Sequence, residues 1–433
     1  MANDARVILW GTDIGAVSWI EDRGLGVFQY APDFVPSGIE VSPLEMPLRA
    51  SPYEFPDLNT DSFRGLPGLL ADSLPDDFGN ALIDEWLASQ GRAPRSMNPV
   101  ERLCYTGTRG MGALEFQPAI VQPASTSKSL EIEKLVDLAQ RTLQNRANLG
   151  GVFRGEDDRE AIEDILRVGT SAGGARAKAI LAWNPQTGAF QSGQLSASSE
   201  LEYWIMKFDG VSTPRSLVLG SPQGYGKIEY AYAMMASACG IDMTPCRLHH
   251  EGGRSHFMTR RFDRTETGGK LHMQSLAALA HYDYRQPTRY SYEQAIQVMR
   301  RLQLPREDLE QQLLRAIFNV VARNQDDHVK NIAFLMNPRG EWRLSPAFDV
   351  TFAADATNQW LNQHQMSING KRAGIGRDDV LALAGAAGTK TPKAEEMIDR
   401  VQHIVAQWPQ YAEKAGLDAE TSERIAALHR VGL

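Results

Sequence analysis

The runs Arg323-Asn324-Gln325-Asp326-Asp327-His328-Val329-Lys330-Asn331 and Leu344-Ser345-Pro346-Ala347-Phe348-Asp349 put two carboxylates and an amide oxygen on a short stretch of chain. Phosphoryl transfer from ATP uses that set. An aspartate accepts or orients a hydroxyl proton, and an asparagine and a second aspartate hold magnesium against phosphate oxygens. Asp326 is the candidate base, and Asn331 and Asp349 are the candidate metal ligands. A lone Asp-Asp pair reads most simply as a solvated loop. The surrounding elements argue for a site instead.

Those elements follow from local pattern. Leu309, Leu313, Ala316, Ile317, Val320 and Val321 fall on one face of a helix that opens after Pro305 and is expected to end near Asn324. Asn331 to Met336 is apolar and strand-like, Asn337-Pro338-Arg339-Gly340 is turn chemistry, and Glu341 to Ser345 reads as a returning strand. Folded about that turn, the hairpin sets Asn331 roughly opposite Pro346. Asp349 then lies at the same end as Asn331 and Asp326.

A nucleotide needs contacts on its phosphates as well. In Gly173-Gly174-Ala175-Arg176-Ala177-Lys178, small residues let backbone N–H groups approach phosphate oxygens, and Arg176 and Lys178 add positive charge. The simpler alternative is a strand-entry turn. In Tyr203-Trp204-Ile205-Met206-Lys207-Phe208, alternation puts Lys207 on the face of Tyr203 and Ile205, as a frayed strand-end lysine or one held for a phosphate. Glu229, read as opening the next helix, either pairs with Lys207 or serves the helix dipole. Gly220 to Ile228 hints at a Walker loop, but its spacing is off and Ile228 stands where Ser or Thr should be. His249 and His250 are adjacent on a strand and point apart. His328 reads as a hydrogen-bonding residue of the loop.

The whole chain sets bounds. Its 433 residues allow two or three domains. A formal charge of −8 argues against a chain that grips nucleic acid alone. Three cysteines (Cys104, Cys239, Cys246) without ligand spacing fit a reducing compartment. Met1 to Arg6 is polar and no apolar run approaches a membrane span, so a cytoplasmic protein without membrane contact is expected.

Short strand-like pieces run to about residue 120, with a helix predicted over Asp77 to Leu87. Pro123 to Ser129 reads as a linker, and helices are predicted over Leu130 to Leu143 and Asp157 to Val168. Strands are predicted over Ala175 to Trp183, Glu202 to Phe208, Met243 to His249 and Ser255 to Phe262, with a helix between Gly226 and Gly240. Beyond about residue 266 the pattern is helical apart from the hairpin. A strand-rich middle with a helical end is an α+β, bilobal plan.

With these residues in view, the chain resembles the HipA-like family of bacterial serine/threonine kinase toxins nearly end to end. Leu66-Pro67-Gly68 with Asp72-Ser73-Leu74-Pro75-Asp76-Asp77-Phe78-Gly79 is similar to the family's N-terminal signature. Ser171 to Lys178 is similar to its phosphate loop, and Arg261-Phe262-Asp263-Arg264 to the strand after its nucleotide hinge. The resemblance implies a protein-kinase-like fold: an N-terminal subdomain over 1–122, a strand-rich lobe over 130–265 and a helical lobe over 266–433. It implies Asp326 as base, and Asn331 and Asp349 on magnesium. Gly173, Gly174, Ala175, Arg176, Ala177, Lys178, Lys207, Arg260, Arg261, Phe262, His328, Lys330, Asn331, Phe348 and Asp349 would lie around ATP, and Ser171 would be an autophosphorylation site. It further implies a helix-turn-helix, HipB-like antitoxin that contacts operator DNA, and a translation protein such as an aminoacyl-tRNA synthetase as substrate. A catalytically weak corepressor of the same fold is the alternative, and a small-molecule kinase a third. Two residues depart from some members, which carry Gln at the place of Arg176 and Glu at that of Arg260. The second change puts a base beside the hinge.

Overall fold

The computed structural model describes residues 2–120, 130–148, 176–193, 200–211 and 223–433. The linker expected over Pro123 to Ser129, the helix over Asp157 to Val168 and the residues Ser171, Gly173, Gly174 and Ala175 lie outside them. Among the described residues, three antiparallel sheets and a set of helices make a mixed α/β fold.

The first sheet has the order β3-β2-β1-β4, with β1 Asp4–Leu9, β2 Thr12–Ile20, β3 Leu25–Tyr30 and β4 Leu114–Gln117. The second has the order β6-β5-β7-β9-β8, from β5 Lys178–Trp183, β6 Phe190–Ser192, β7 Glu202–Lys207, β8 Cys246–Glu251 and β9 Arg254–Arg260. In the second sheet β5, β7, β8 and β9 fall within a few residues of their sequence-based bounds, while β6 has no counterpart in the sequence reading. The third differs. The expected hairpin forms β11 Ala333–Met336 and β12 Trp342–Leu344, but β10 His272–Ser275 joins it on the other edge of β11. Four residues ending at a capping serine are too short for a strand period to emerge, so the helical reading beyond 266 missed β10.

The helix Arg306–Val321 lies as read, with Leu313, Ala316, Ile317, Val320 and Val321 buried. The helix Tyr225–Ala238 starts within two residues of its sequence-based bound, and Glu229, its fifth residue, sits buried in the second turn rather than at the opening. That rules out a simple dipole role for Glu229. The helix can approach the second sheet because residue 226 is glycine: a Cβ there would stand 2.2 Å from the Ser255 carbonyl oxygen.

The helix Asp77–Ser89 does not stay with the first sheet. Its Phe78, Leu82, Ile83 and Leu87 share one apolar cluster with Ala179, Leu181, Trp204, Met206 and Met258 of the second. At the same seam, Arg261 and Arg264 fork onto Asp263, which also accepts the Gly112 N–H at 2.7 Å. Among the described residues no helix is long and apolar enough to cross a membrane.

Gly226→Ala is expected to cost about 1–3 kcal/mol, because the helix must retreat from the Ser255 carbonyl. A urea melt checks it; an unchanged midpoint would mean the helix is free to move.

Candidate functional site

Lys178 opens β5 and Lys207 closes β7, and the two strands pair Lys178 with Lys207 directly. Opposed residues on antiparallel neighbours project from the same face. Both ammonium groups therefore face the helix Tyr225–Ala238 and the exit of the hairpin. Lys207 Nζ lies 2.5 Å from Glu229 Oε1 and also hydrogen-bonds Asp349 Oδ1. One ammonium thus ties a strand, a helix and the chain after β12 together.

The charges in this cluster set one another. Burial works against the Lys207 ammonium, but Asp349 and Glu229 overrule it and hold its pKa above the ordinary lysine value. For Asp349, burial pushes up, while Lys207, Lys178 and His328 pull down further, to about 2. Burial raises Glu229, against the pull of Lys207 and with the push of Asp349. With 32% of its side chain exposed, Asp349 still presents an open oxygen to the cleft.

Asp326 and Asn331 line that cleft with Phe348 and Asp349. Asn331 sits in a 3-10 turn, Val329–Asn331, just ahead of β11. Its amide nitrogen donates to the Asp326 carbonyl at 2.8 Å, which leaves Oδ1 as the available ligand atom. The backbone is strained on both sides: Arg323 (φ 59) and Asp349 (φ 52) are non-glycine residues in the left-handed region. Such conformations persist where surrounding contacts over-determine them.

Those contacts are partly unforeseen. Gln365 Nε2 donates to Asp326 Oδ1 at 2.6 Å. The adjacent Asp327 is buried, and accepts from Tyr292 Oη at 2.8 Å and the Gln365 N–H at 2.8 Å, with His364 Nδ1 also at 2.8 Å. One aspartate of the pair is therefore structural and the other half-exposed. Nothing local in sequence marks Gln365, because it lies 39 residues from Asp326.

The remaining expected residues divide. Phe262 packs against Phe348 with ring centroids 5.6 Å apart. Arg176 covers the Tyr225 ring at 4.0 Å, at the start of the Glu229 helix. Ala177 is buried, its carbonyl accepting the Phe208 N–H. His328 Nδ1 accepts the Lys330 N–H at 3.2 Å, with Nε2 3.8 Å from Asp326 Oδ1, which agrees with a hydrogen-bonding role in the loop. Arg260 ends β9, half-buried. Arg261 has its guanidinium committed to Asp263 and the Gly110 carbonyl, which leaves only its backbone for any ligand contact. Lys178 and Lys330 each meet an aspartate of the N-terminal region, Asp76 at 3.6 Å and Asp72 at 4.0 Å.

Among the described residues no trio of His, Cys, Asp and Glu forms a metal cage. Magnesium asks for less: one or two carboxylates with phosphate oxygens and waters complete its octahedron. Asn331 Oδ1 and the open oxygen of Asp349 suit that partial donor set.

A lysine–glutamate–aspartate cluster facing an aspartate–asparagine loop, on a mixed α/β frame, defines the class of site. Residues 5–117 match the HipA N-terminal domain and residues 170–408 the HipA-like C-terminal domain. The chain belongs to the HipA family. It superposes over 98% of its length, and 94% of the other chain, on the structure of HipA from Shewanella oneidensis MR-1 in complex with HipB and operator DNA. The TM-score is 0.64 at 17% identity, a likeness of fold. A proinflammatory kinase of Helicobacter pylori, CtkA, is a looser likeness at TM-score 0.32 and 14% identity, over 52% of this chain and 84% of that one. Among curated proteins, one named as a candidate kinase, Y4mE of Sinorhizobium fredii, is 27% identical over 125 residues. That match spans 27% of this chain and 30% of the relative, so it covers under a third of either.

Because the folded pKa of Asp349 is depressed from 3.8 to about 2, its stabilising effect is full above the unfolded value and is lost as pH falls through that window. Acid titration followed by circular dichroism is expected to show Asp349→Asn losing less stability than the wild type between about pH 4 and pH 2. Equal slopes would mean the carboxylate is unpaired in solution.

Proposed function

We propose that this chain is an ATP- and magnesium-dependent protein serine/threonine kinase, the toxin component of a toxin–antitoxin pair. The observation that carries this reading is Lys207 bound to both Glu229 and Asp349, with Asp349 lining one cleft with Asp326 and Asn331. In this reading 130–265 is the nucleotide lobe, 266–433 the catalytic lobe and 1–122 an added domain.

Each residue has a task. Lys207, oriented by Glu229, steadies the phosphates. Gln365 occupies Oδ1 of Asp326, so Oδ2 is the oxygen that accepts the hydroxyl proton of the substrate serine or threonine. Asp327, fixed by Tyr292, His364 and Gln365, keeps the loop from swinging. Asn331 and Asp349 would hold magnesium, which when bound offsets the charge that builds on the transferring phosphoryl group. The Phe262 and Phe348 rings supply an apolar surface near the hinge.

Ser171 is proposed as the autophosphorylation site, where a phosphate would crowd the loop at Gly173. A basic helix-turn-helix partner suits the acidic balance of the chain, in keeping with the complex formed by the Shewanella protein. A translation protein such as an aminoacyl-tRNA synthetase is the proposed substrate.

Intact mass of the purified protein after incubation with magnesium ATP tests the reading, with Asp326→Gln in parallel. One added phosphate at Ser171 in the wild type alone is expected. No phosphate on the chain or on any lysate protein would favour the corepressor, and turnover of a metabolite without protein phosphosites a small-molecule kinase. Gln365→Leu is expected to bind ATP as the wild type does but to lose about ten- to a hundredfold in phosphorylation rate, since Asp326 loses its orienting bond. A wild-type rate in that variant would remove Gln365 from the mechanism.

A further inference from the structure

An acidic turn of the N-terminal region meets Lys178 and Lys330. Asp76 caps the helix Asp77–Ser89, its Oδ1 accepting the Gly79 N–H at 2.7 Å. Its second oxygen, Oδ2, has no hydrogen-bond partner, is buried, and points to Lys178 Nζ at 3.6 Å. Both side chains are nearly sealed from solvent, at 4% and 3% exposure. Four residues earlier, Asp72 accepts the Ser275 N–H at 2.7 Å and the Ser275 hydroxyl at 2.9 Å, at the strand end paired with Ala333. Its Oδ1 also stands 4.0 Å from Lys330 Nζ. The turn therefore spans from the second sheet to β10, the neighbour of the strand β11 that leaves the Asp326–Asn331 loop.

We infer that Asp76 is a positioning residue for the phosphate site: it holds the Lys178 side chain in place for the ATP phosphates, so the site is complete only with the N-terminal domain docked. This rests on the kinase reading above. Lys178 is otherwise faced by Lys207 from the neighbouring strand, with Asp349 and Glu229 beyond it and both already bound to Lys207. Asp76 itself is faced by Asp77 and Lys330 besides Lys178. Removing Asp76 would leave Lys178 opposite Lys207 without a carboxylate of its own, and the two ammonium groups would part. The core shared by the helix Asp77–Ser89 and the second sheet keeps Asp76 in register with Lys178. The anchoring of Asp72 on Ser275 fixes the other end of the turn.

The test is binding of magnesium ATP and of adenosine to the full chain and three variants: Asp76→Asn, Lys178→Met and the double substitution. Asparagine keeps the helix cap and removes only the charge. Asp76→Asn is expected to weaken ATP by roughly ten- to a hundredfold, the worth of one charge-assisted phosphate contact, and to leave adenosine unchanged. The double variant is expected to bind ATP as Lys178→Met alone does, because Asp76 acts only through Lys178. Equal loss of ATP and adenosine, or no loss, would overturn the inference. If Asp76→Asn fails to fold, the double variant decides: ATP binding weaker than that of Lys178→Met overturns it, and equal binding supports it. A wild type that does not bind magnesium ATP removes the kinase reading and this inference together, whereas wild-type binding with an unchanged Asp76→Asn removes only the inference.

Discussion

The Lys207 ammonium is the joint on which the site depends. It binds Glu229, 22 residues on, and Asp349, 142 residues on, so it fixes the second sheet, the helix Tyr225–Ala238 and the chain beyond the hairpin relative to one another. Burying a charge is costly, and losing one partner of a buried pair costs more than the pair contributes. Here two carboxylates share one ammonium, and the surplus charge stays at the open edge of the cleft on Asp349. The left-handed backbone of Asp349 is part of the same arrangement. That strained turn brings its carboxylate back to Lys207 instead of letting the chain run on from β12.

Local pattern carried the elements that contain the site. The apolar face of the Arg306–Val321 helix, the turn at Asn337 to Gly340 and the alternation through Lys207 each follow from periods of a few residues, and the chemistry at Asp326, Asn331 and Asp349 was read from their types and spacing. What sequence could not show is long-range and polar. Gln365 meets Asp326 and His364 meets Asp327 across nearly forty residues of irregular chain, where no period exists to read. Glu229 shows how a shift of two residues changes meaning. Placed at a helix opening it serves the dipole, whereas placed in the second turn, behind Gly226, it can only be buried against the sheet. Arg261 shows a different long-range effect, since its guanidinium closes the seam to Gly110, which no local pattern announces.

The seam itself departs from a plan of independent units. The first sheet has its own apolar cluster, but the helix Asp77–Ser89 gives its apolar face to the second sheet, and Asp263 takes bonds from both sides. Gly68 approaches Ala278 so closely that a Cβ would stand 2.2 Å from its carbonyl oxygen, and the Gly68 N–H donates to His281 Nε2 at 3.0 Å. Contacts this close and this polar hold one arrangement, because a glycine packed on backbone and a buried carboxylate between two guanidinium groups have no second position of similar energy. The N-terminal region is therefore held in one position against the second sheet and the chain that follows it.

Charge then decides what such a cleft can accept. Lys178 and Lys207 stand against Asp76, Glu229, Asp326 and Asp349, while Lys330 has Asp72 nearby. Those two lysines face four acids, so a divalent cation arriving with a polyphosphate would offset acid charge that a bare polyphosphate leaves in place. The same phosphate carrying a divalent cation presents positive charge where Asn331 and Asp349 lie and negative charge where the lysines lie. Under the kinase reading proposed above, phosphate and cation would then arrive as one species, with the lysines left to distinguish phosphate oxygens from any other anion the cation could bring.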